Sequence, residues 1–130
     1  MLDIDDFKRI NDTFGHATGD RVLQSLGRSL PRQLRGIDLA ARYGGEEFAL
    51  VLPETDSTGA KVLGERVRRM VADSPVSLAD GGKINLTVSV GIACFPMGGD
   101  SEQSLVEHAD KALYAAKHAG KNRVCLYGET

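Results

Sequence analysis

The chain has 130 residues, 42% hydrophobic and 26% charged, the balance of one globular domain able to bury a core of its own. A formal net charge of −2 excludes the basic surface of a general nucleic-acid binder, but not a site for a single nucleotide whose charge a metal and a few cations can meet. No apolar run approaches a membrane span. Cys94 and Cys125, both in expected strands, read as buried free thiols of a reducing compartment.

In chain order, Met1 to Asp3 reads as the end of a strand. Helical spacing then places Phe7, Ile10 and Phe14 on one side of a helix over 5–14, which Gly15 stops. A second helix over 18–30 carries Val22, Leu23, Leu26 and Leu30 as its stripe, and Pro31 ends or kinks it. Gln33 to Asp38 is a polar link. Leu39–Tyr43 and the apolar run Phe48–Leu52 read as two strands, with Gly44-Gly45 as a two-residue hairpin turn.

Beyond the hairpin, Asp56 or Ser57 can cap a helix over 59–72 that turns Val62, Leu63, Val67, Met70 and Val71 inward. Residues 73–83 read as loop. Ile84 to Phe95 reads as one long strand, β-branched and alternating at first. Asp100 with Gln103 offers a capping box for a helix that runs to His118 and closes at Gly120. Asn122 to Tyr127 completes the set as a strand. The expected fold is α+β, a five-stranded sheet with helices on one or both faces.

Two adjacent carboxylates, Glu46 and Glu47, follow the glycine pair. On a strand they point to opposite faces, so both cannot decorate one side. A carboxylate at a hairpin tip can hold a divalent metal over a sheet edge, although GGEE alone reads as an acidic solvated turn. If the first strand pairs with the hairpin, Asp3 and Glu46 can share that metal, since Mg²⁺ takes oxygen ligands, commonly one or two carboxylates plus phosphate. The loop Ile4 to Lys8 joins a strand to a helix, and its amides point at any anion placed before the helix. Asp5 and Asp6 add negative potential. His16, His108 and His118 have no zinc spacing and read as surface or packing residues.

Three blocks, LDIDDFKRINDTFGHATGD, RYGGEEF and ADKALYAAKHAGKNRV, resemble in sequence and order the GGDEF family, the bacterial diguanylate cyclases. The resemblance covers Leu2 to Val124. It implies a palm-like cyclase fold and a Mg²⁺- or Mn²⁺-dependent condensation of two GTP into cyclic di-GMP. It places Asp3, the Ile4 carbonyl and Glu46 on the metals, with Glu47 as an adjacent ligand or support, and makes Glu46 and Glu47 the catalytic carboxylates, Glu46 able to assist as a base. It assigns the amides of Phe7 and Lys8 to GTP phosphates, with Gly45 beside the substrate. It makes Asn11 and Asp20 the guanine readers, a role that an amide and a carboxylate suit. Lys117 and Lys121 meet phosphate, Lys121 standing where relatives commonly have Arg and so lacking the bidentate fork. Arg35 and Asp38 match the RxxD of an inhibitory product site, which Arg66 can join.

The family usually carries further strand and a helical DxLTGLxNRR segment ahead of this point, so the chain is expected to be a single domain shortened at its N-terminus. It is expected in the bacterial cytoplasm as part of a longer sensor or membrane-bound protein, its sensor or receiver domain lying outside this segment. A product with two guanosines calls for a transient homodimer around two GTP molecules. The rival readings are a catalytically weak or inactive module that binds GTP or cyclic di-GMP as a receptor, and a cyclase for another purine.

Overall fold

The computed structural model describes residues 1–129. The elements are β1 (Leu2–Ile4), α1 (Phe7–Phe14), α2 (His16–Ser29), a 3-10 turn (Leu30–Gln33), β2 (Leu39–Arg42), β3 (Glu47–Val51), α3 (Ser57–Asp73), β4 (Val76–Ser77), β5 (Lys83–Ile84), β6 (Val88–Ile92), α4 (Glu102–His118) and β7 (Val124–Leu126). Five strands form one mixed sheet in the order β2-β3-β1-β6-β7, and β4 pairs with β5 separately. β1 is central and antiparallel to both neighbours, with Asp3 opposite Glu47 on one side and Ser89 on the other. β6 and β7 are parallel, the connection that a crossover helix such as α4 permits.

Period-two alternation separates the two faces of this sheet. Leu2, Ile4, Phe48, Val88 and Val90 enter one core with Phe7 and Ile10 of α1, Val22, Leu23 and Leu26 of α2, and Leu63, Val67 and Val71 of α3. The intervening residues, among them Asp3, Glu47, Ser89 and Gly91, face the opposite way, toward α4. That helix buries Ala109, Ala112, Leu113 and Ala116. A Cβ at Gly91 would run into the backbone of Ala109 and Leu113, so the missing side chain lets α4 lie directly on the sheet. The helix thereby carries Lys117 to the end of β1. Among the described residues no helix is long and apolar enough to cross a membrane.

Several boundaries differ from the sequence expectation for identifiable reasons. The long strand over 84–95 is two pieces, because β5 pairs with β4 while the Thr87 carbonyl turns to accept from the Asp5 amide at 2.9 Å. Residues 73–83, expected as loop, contribute β4 and the start of β5. α4 is capped by Ser101 and Ser104, each hydroxyl accepting from the other's amide at 3.1 Å, in place of Asp100 and Gln103. Asp56 does cap α3, accepting from the Gly59 amide at 2.8 Å. Val62 and Phe14, expected inward, are exposed, while Leu30 is fully buried from the 3-10 turn rather than from α2. Both thiols are free, with Cys125 in β7 and Cys94 just beyond β6.

The hairpin also departs from a two-residue turn. Arg42 pairs with Phe48, and the Glu47 carbonyl accepts from the amides of Tyr43 at 2.8 Å and Gly44 at 3.2 Å, so Gly44, Gly45 and Glu46 form the loop. Neither glycine has a positive φ. A Cβ on Gly45 would meet nothing within 4 Å, so glycine there leaves open space and is not required by the backbone.

Candidate active site

Among the described residues Asp5, just past β1, is the one charged residue that is buried as a whole. Its carboxylate accepts from Thr87 Oγ1 at 2.7 Å, Ser89 Oγ at 2.7 Å, Lys117 Nζ at 2.8 Å and the Asn122 amide at 3.0 Å. Burial alone would push this carboxyl up, but the bonds from Lys117, Ser89, Thr87 and Asn122 outweigh it and hold the group below the usual carboxylate range. Four segments, the β1 end, β6 with its lead-in, α4 and the turn after α4, are tied to one anion. That turn is a Schellman-type ending: the Lys121 amide reaches the Ala116 carbonyl at 3.0 Å across Gly120, whose φ is 121°. Sequence reading gave Asp5 only a diffuse negative potential, because its partners lie 82 to 117 residues away.

Around this anchor the acids crowd. Asp3 stands opposite Glu47 in register, and the Ile4 amide donates to the Glu46 carbonyl at 3.3 Å, so β1 and the hairpin tip share one edge. Burial pushes Asp3 up, Lys117 opposes this, and the Asp5 charge adds to it. Glu46 is pushed up by burial and then by the Asp3 charge. Glu47 is pushed up by burial, by Asp110 of α4 and by Asp3. The two glutamates thus look to different neighbours, as adjacent strand residues do: Glu46 lines the cleft described below, and Glu47 feels α4.

Among the described residues no three His, Cys, Asp or Glu side chains close round a single point. A divalent metal here would need mixed ligands, and these are present as hard oxygen donors. Asp3 Oδ1 and the Ile4 carbonyl already meet a cation, the Lys117 ammonium, at 3.1 and 3.2 Å. Carboxylate, carbonyl and neighbouring glutamate are the oxygen set that Mg²⁺ accepts.

Beside this edge lies a cleft of about 390 Å³, lined by Phe7, Lys8, Asn11, His16, Asp20, Leu23, Arg42, Gly45 and Glu46. It gathers residues from α1, α2 and the hairpin that lie far apart in sequence, from Phe7 to Glu46. The first-turn amides of α1, including those of Phe7 and Lys8, have no intrahelical acceptor, and Asp6 before them has a left-handed backbone and no side-chain cap. Asn11 Oδ1 is buried and finds no donor among the described residues. It lies against Gly19, where any Cβ would collide with it. Arg42, given no role from sequence, braces the loop by donating to the Gly45 carbonyl at 2.8 Å and the Gly44 carbonyl at 3.3 Å. His16, expected to be a surface or packing residue, also lines the cleft.

Lys121 has a positive φ of 64° and pairs with Asp6 at 2.6 Å, just before the first turn of α1. Arg35 and Asp38 sit elsewhere. The Arg35 guanidinium is folded onto Asp38 Oδ1 at 3.1 Å, the Pro53 carbonyl at 2.8 Å and Thr55 Oγ1 at 2.6 Å. Its hydrogen bonds hold the Asp38 carboxyl below the usual range. Arg66 is engaged by Gln33, through the side chain at 3.1 Å and the carbonyl at 2.5 Å. Arg35 and Arg66 therefore flank the same 3-10 turn, each already holding acceptors.

A family described as "Diguanylate cyclase, GGDEF domain" matches residues 1–123. Diguanylate cyclase A of Treponema denticola is 47% identical over 97% of this chain and 34% of its own length. Response regulator PleD of Caulobacter vibrioides is 43% identical over 95% of the chain and 28% of its own. Among solved structures, the GGDEF domain of PA1120 (YfiN or TpbB) from Pseudomonas aeruginosa superposes with a TM-score of 0.93 at 35% identity, covering 99% of this chain and 80% of that one. The GGDEF domain of DgcB from Caulobacter crescentus, in complex with c-di-GMP, gives 0.91 at 38% identity, covering 98% and 75%. Fold and site motifs together define a nucleotide-cyclase-like domain, and the chain belongs to the GGDEF family. It spans about a third of the length of these curated relatives.

The Asp5 anchor makes a stability prediction. Asp5→Asn should cost about 3 kcal/mol in urea unfolding at pH 7, because Lys117 loses a buried counter-charge. A carboxyl held low in the fold contributes stability above its unfolded value of about 3.9 and loses it as pH falls through the folded value. The gap between wild type and variant should therefore narrow below about pH 4. Equal stability at pH 7, or a gap that widens in acid, would contradict the anchor.

Proposed function

We propose that this chain is the catalytic domain of a diguanylate cyclase, condensing two GTP into cyclic di-GMP with release of two pyrophosphates. The observation that carries the reading is the cleft itself: Lys8, Asn11, Asp20, Gly45 and Glu46 line one space, and the Asp3–Ile4–Lys117 edge borders it. One cleft takes one nucleotide. Asn11 Oδ1, otherwise unpaired, and the Asp20 carboxylate accept from the donor edge of guanine, which adenine lacks. The open space beside Gly45 admits the nucleotide, and the free amides of Phe7 and Lys8 receive phosphate oxygens.

Asp3, the Ile4 carbonyl and Glu46 would hold Mg²⁺ or Mn²⁺, with Glu47 in support. When bound, the metal lowers the pKa of the attacking hydroxyl and offsets phosphate charge. The 3′-oxygen of one GTP attacks the α-phosphorus of the other, and the bond to the β-phosphate breaks. Glu46, which lines the cleft, can assist as the base that takes the hydroxyl proton. Lys117 and Lys121 balance the departing pyrophosphate. Because each nucleotide supplies the other's hydroxyl, two copies of the domain must face each other. Arg35, Asp38 and Arg66 form the proposed inhibitory product site, the arginines exchanging their present protein acceptors for guanine and phosphate.

Incubation with GTP and Mg²⁺ followed by nucleotide chromatography tests the reaction. Cyclic di-GMP should form from GTP and no cyclic dinucleotide from ATP, and Glu46→Gln should lower the rate by about 10²-fold or more. The same change should not lower the apo melting temperature, since it removes one of two repelling acids. Binding of GTP without turnover would make the domain a receptor. For the product site, Arg35→Ala should weaken cyclic di-GMP binding in calorimetry and leave initial turnover intact. Unchanged affinity would leave Arg35–Asp38 as a clamp on the β3–α3 loop.

A further inference from the structure

Lys117 stands in a position that phosphate binding alone does not explain. Its Nζ lies 3.1 Å from Asp3 Oδ1, 3.2 Å from the Ile4 carbonyl and 2.8 Å from Asp5 Oδ1, with the side chain largely covered. Three oxygens meet this one ammonium, the Ile4 carbonyl and Asp5 Oδ1 as hydrogen-bond acceptors and Asp3 Oδ1 as an ion-pair partner. Two of these oxygens are the first two in the proposed metal set.

We propose that the Lys117 ammonium is a resident cation on the metal's own ligands, and that it is exchanged for the divalent ion when the site loads. The inference rests on the active-site reading above and deepens it. Asp3 Oδ1 and the Ile4 carbonyl have lone pairs for both partners, but a metal at about 2.1 Å from these oxygens would stand close to an ammonium 3.1 and 3.2 Å from them, and the repulsion between the two cations favours moving Lys117 away. Asp5 does not compete for the metal in the same way, since its remaining valences are filled by Thr87, Ser89 and the Asn122 amide. Lys117 keeps Asp5 as its pivot, gives up the other two contacts, and turns its freed N–H donors toward the incoming phosphates. One side chain therefore protects the empty acidic edge from charge repulsion and becomes available to substrate only after the metal has arrived. Metal and triphosphate binding are coupled through this exchange, because each cation leaves the other a role.

Manganese binding without nucleotide, read by the electron paramagnetic resonance of free Mn²⁺, tests the exchange. Lys117→Met should bind Mn²⁺ roughly tenfold more tightly than wild type, having lost the competing charge. Equal or weaker binding by a folded variant overturns the proposal. In wild type, amine labelling of Lys117 read by mass spectrometry should rise when Mg²⁺ is added without nucleotide. Unchanged or reduced labelling at saturating metal also overturns it, and this measurement needs no variant to fold. If wild type binds no Mn²⁺ even with GTP present, the metal assignment beneath the proposal fails, and that outcome is distinct from a bound metal that leaves Lys117 in place.

Discussion

A carboxylate removed from water must be met by hydrogen bonds and charge or it will not remain ionised, and the four donors to Asp5 come from places that the chain would otherwise leave independent. Thr87 and Ser89 bring the start of β6, Lys117 the last turn of α4, and the Asn122 amide the turn that delivers Lys121. The Asp5 amide donates to the Thr87 carbonyl, which fixes where the chain enters β6. Asp3 and Ile4, two residues and one residue earlier, are the proposed metal ligands. Phe7 and Lys8, two and three residues later, begin the proposed phosphate-binding helix. Packing holds the sheet and helices together, but the anion sets their register at the one edge where the chemistry is proposed.

The same edge is costly in the absence of ligand. Burial and mutual repulsion push Asp3, Glu46 and Glu47 toward protonation, and only Lys117 works against this at Asp3 and Glu46. Gly91 belongs to the same arrangement: with any side chain there α4 would stand off the sheet, and Lys117 would not reach the end of β1. Gly19 and Gly45 act similarly on the cleft, one by admitting Asn11 beside α2 and the other by leaving a wall open. Three glycines at sites of close approach or open space therefore shape the site, although none of the three has a positive φ.

Much of this was legible in the sequence. Alternation and helical spacing located the strands of the main sheet and the four helices, and Asp56 and Gly120 marked ends that the structure keeps. The resemblance of three motif blocks named residues that the fold collects in one cleft and along one edge. What escaped was decided by contacts distant in sequence. Nothing local marks Asp5 off from Asp6, yet one is buried with four donors and the other is an exposed partner of Lys121. The β-branched run over 84–95 reads as continuous because its interruption depends on a hydrogen bond to residue 5. Arg42 and His16 were passed over because a brace on a loop and a place on a cleft wall have no sequence pattern.

The central claim is that one domain carries half of a reaction centre and that two copies complete it around two GTP molecules. Specific activity against enzyme concentration, at saturating GTP and Mg²⁺, tests it most directly. Turnover per molecule should climb across roughly a hundredfold range and level off where the domains pair, as expected of a site completed only on association. Turnover per molecule that stays constant over the whole range, down to dilutions at which sedimentation shows only monomer, would contradict it.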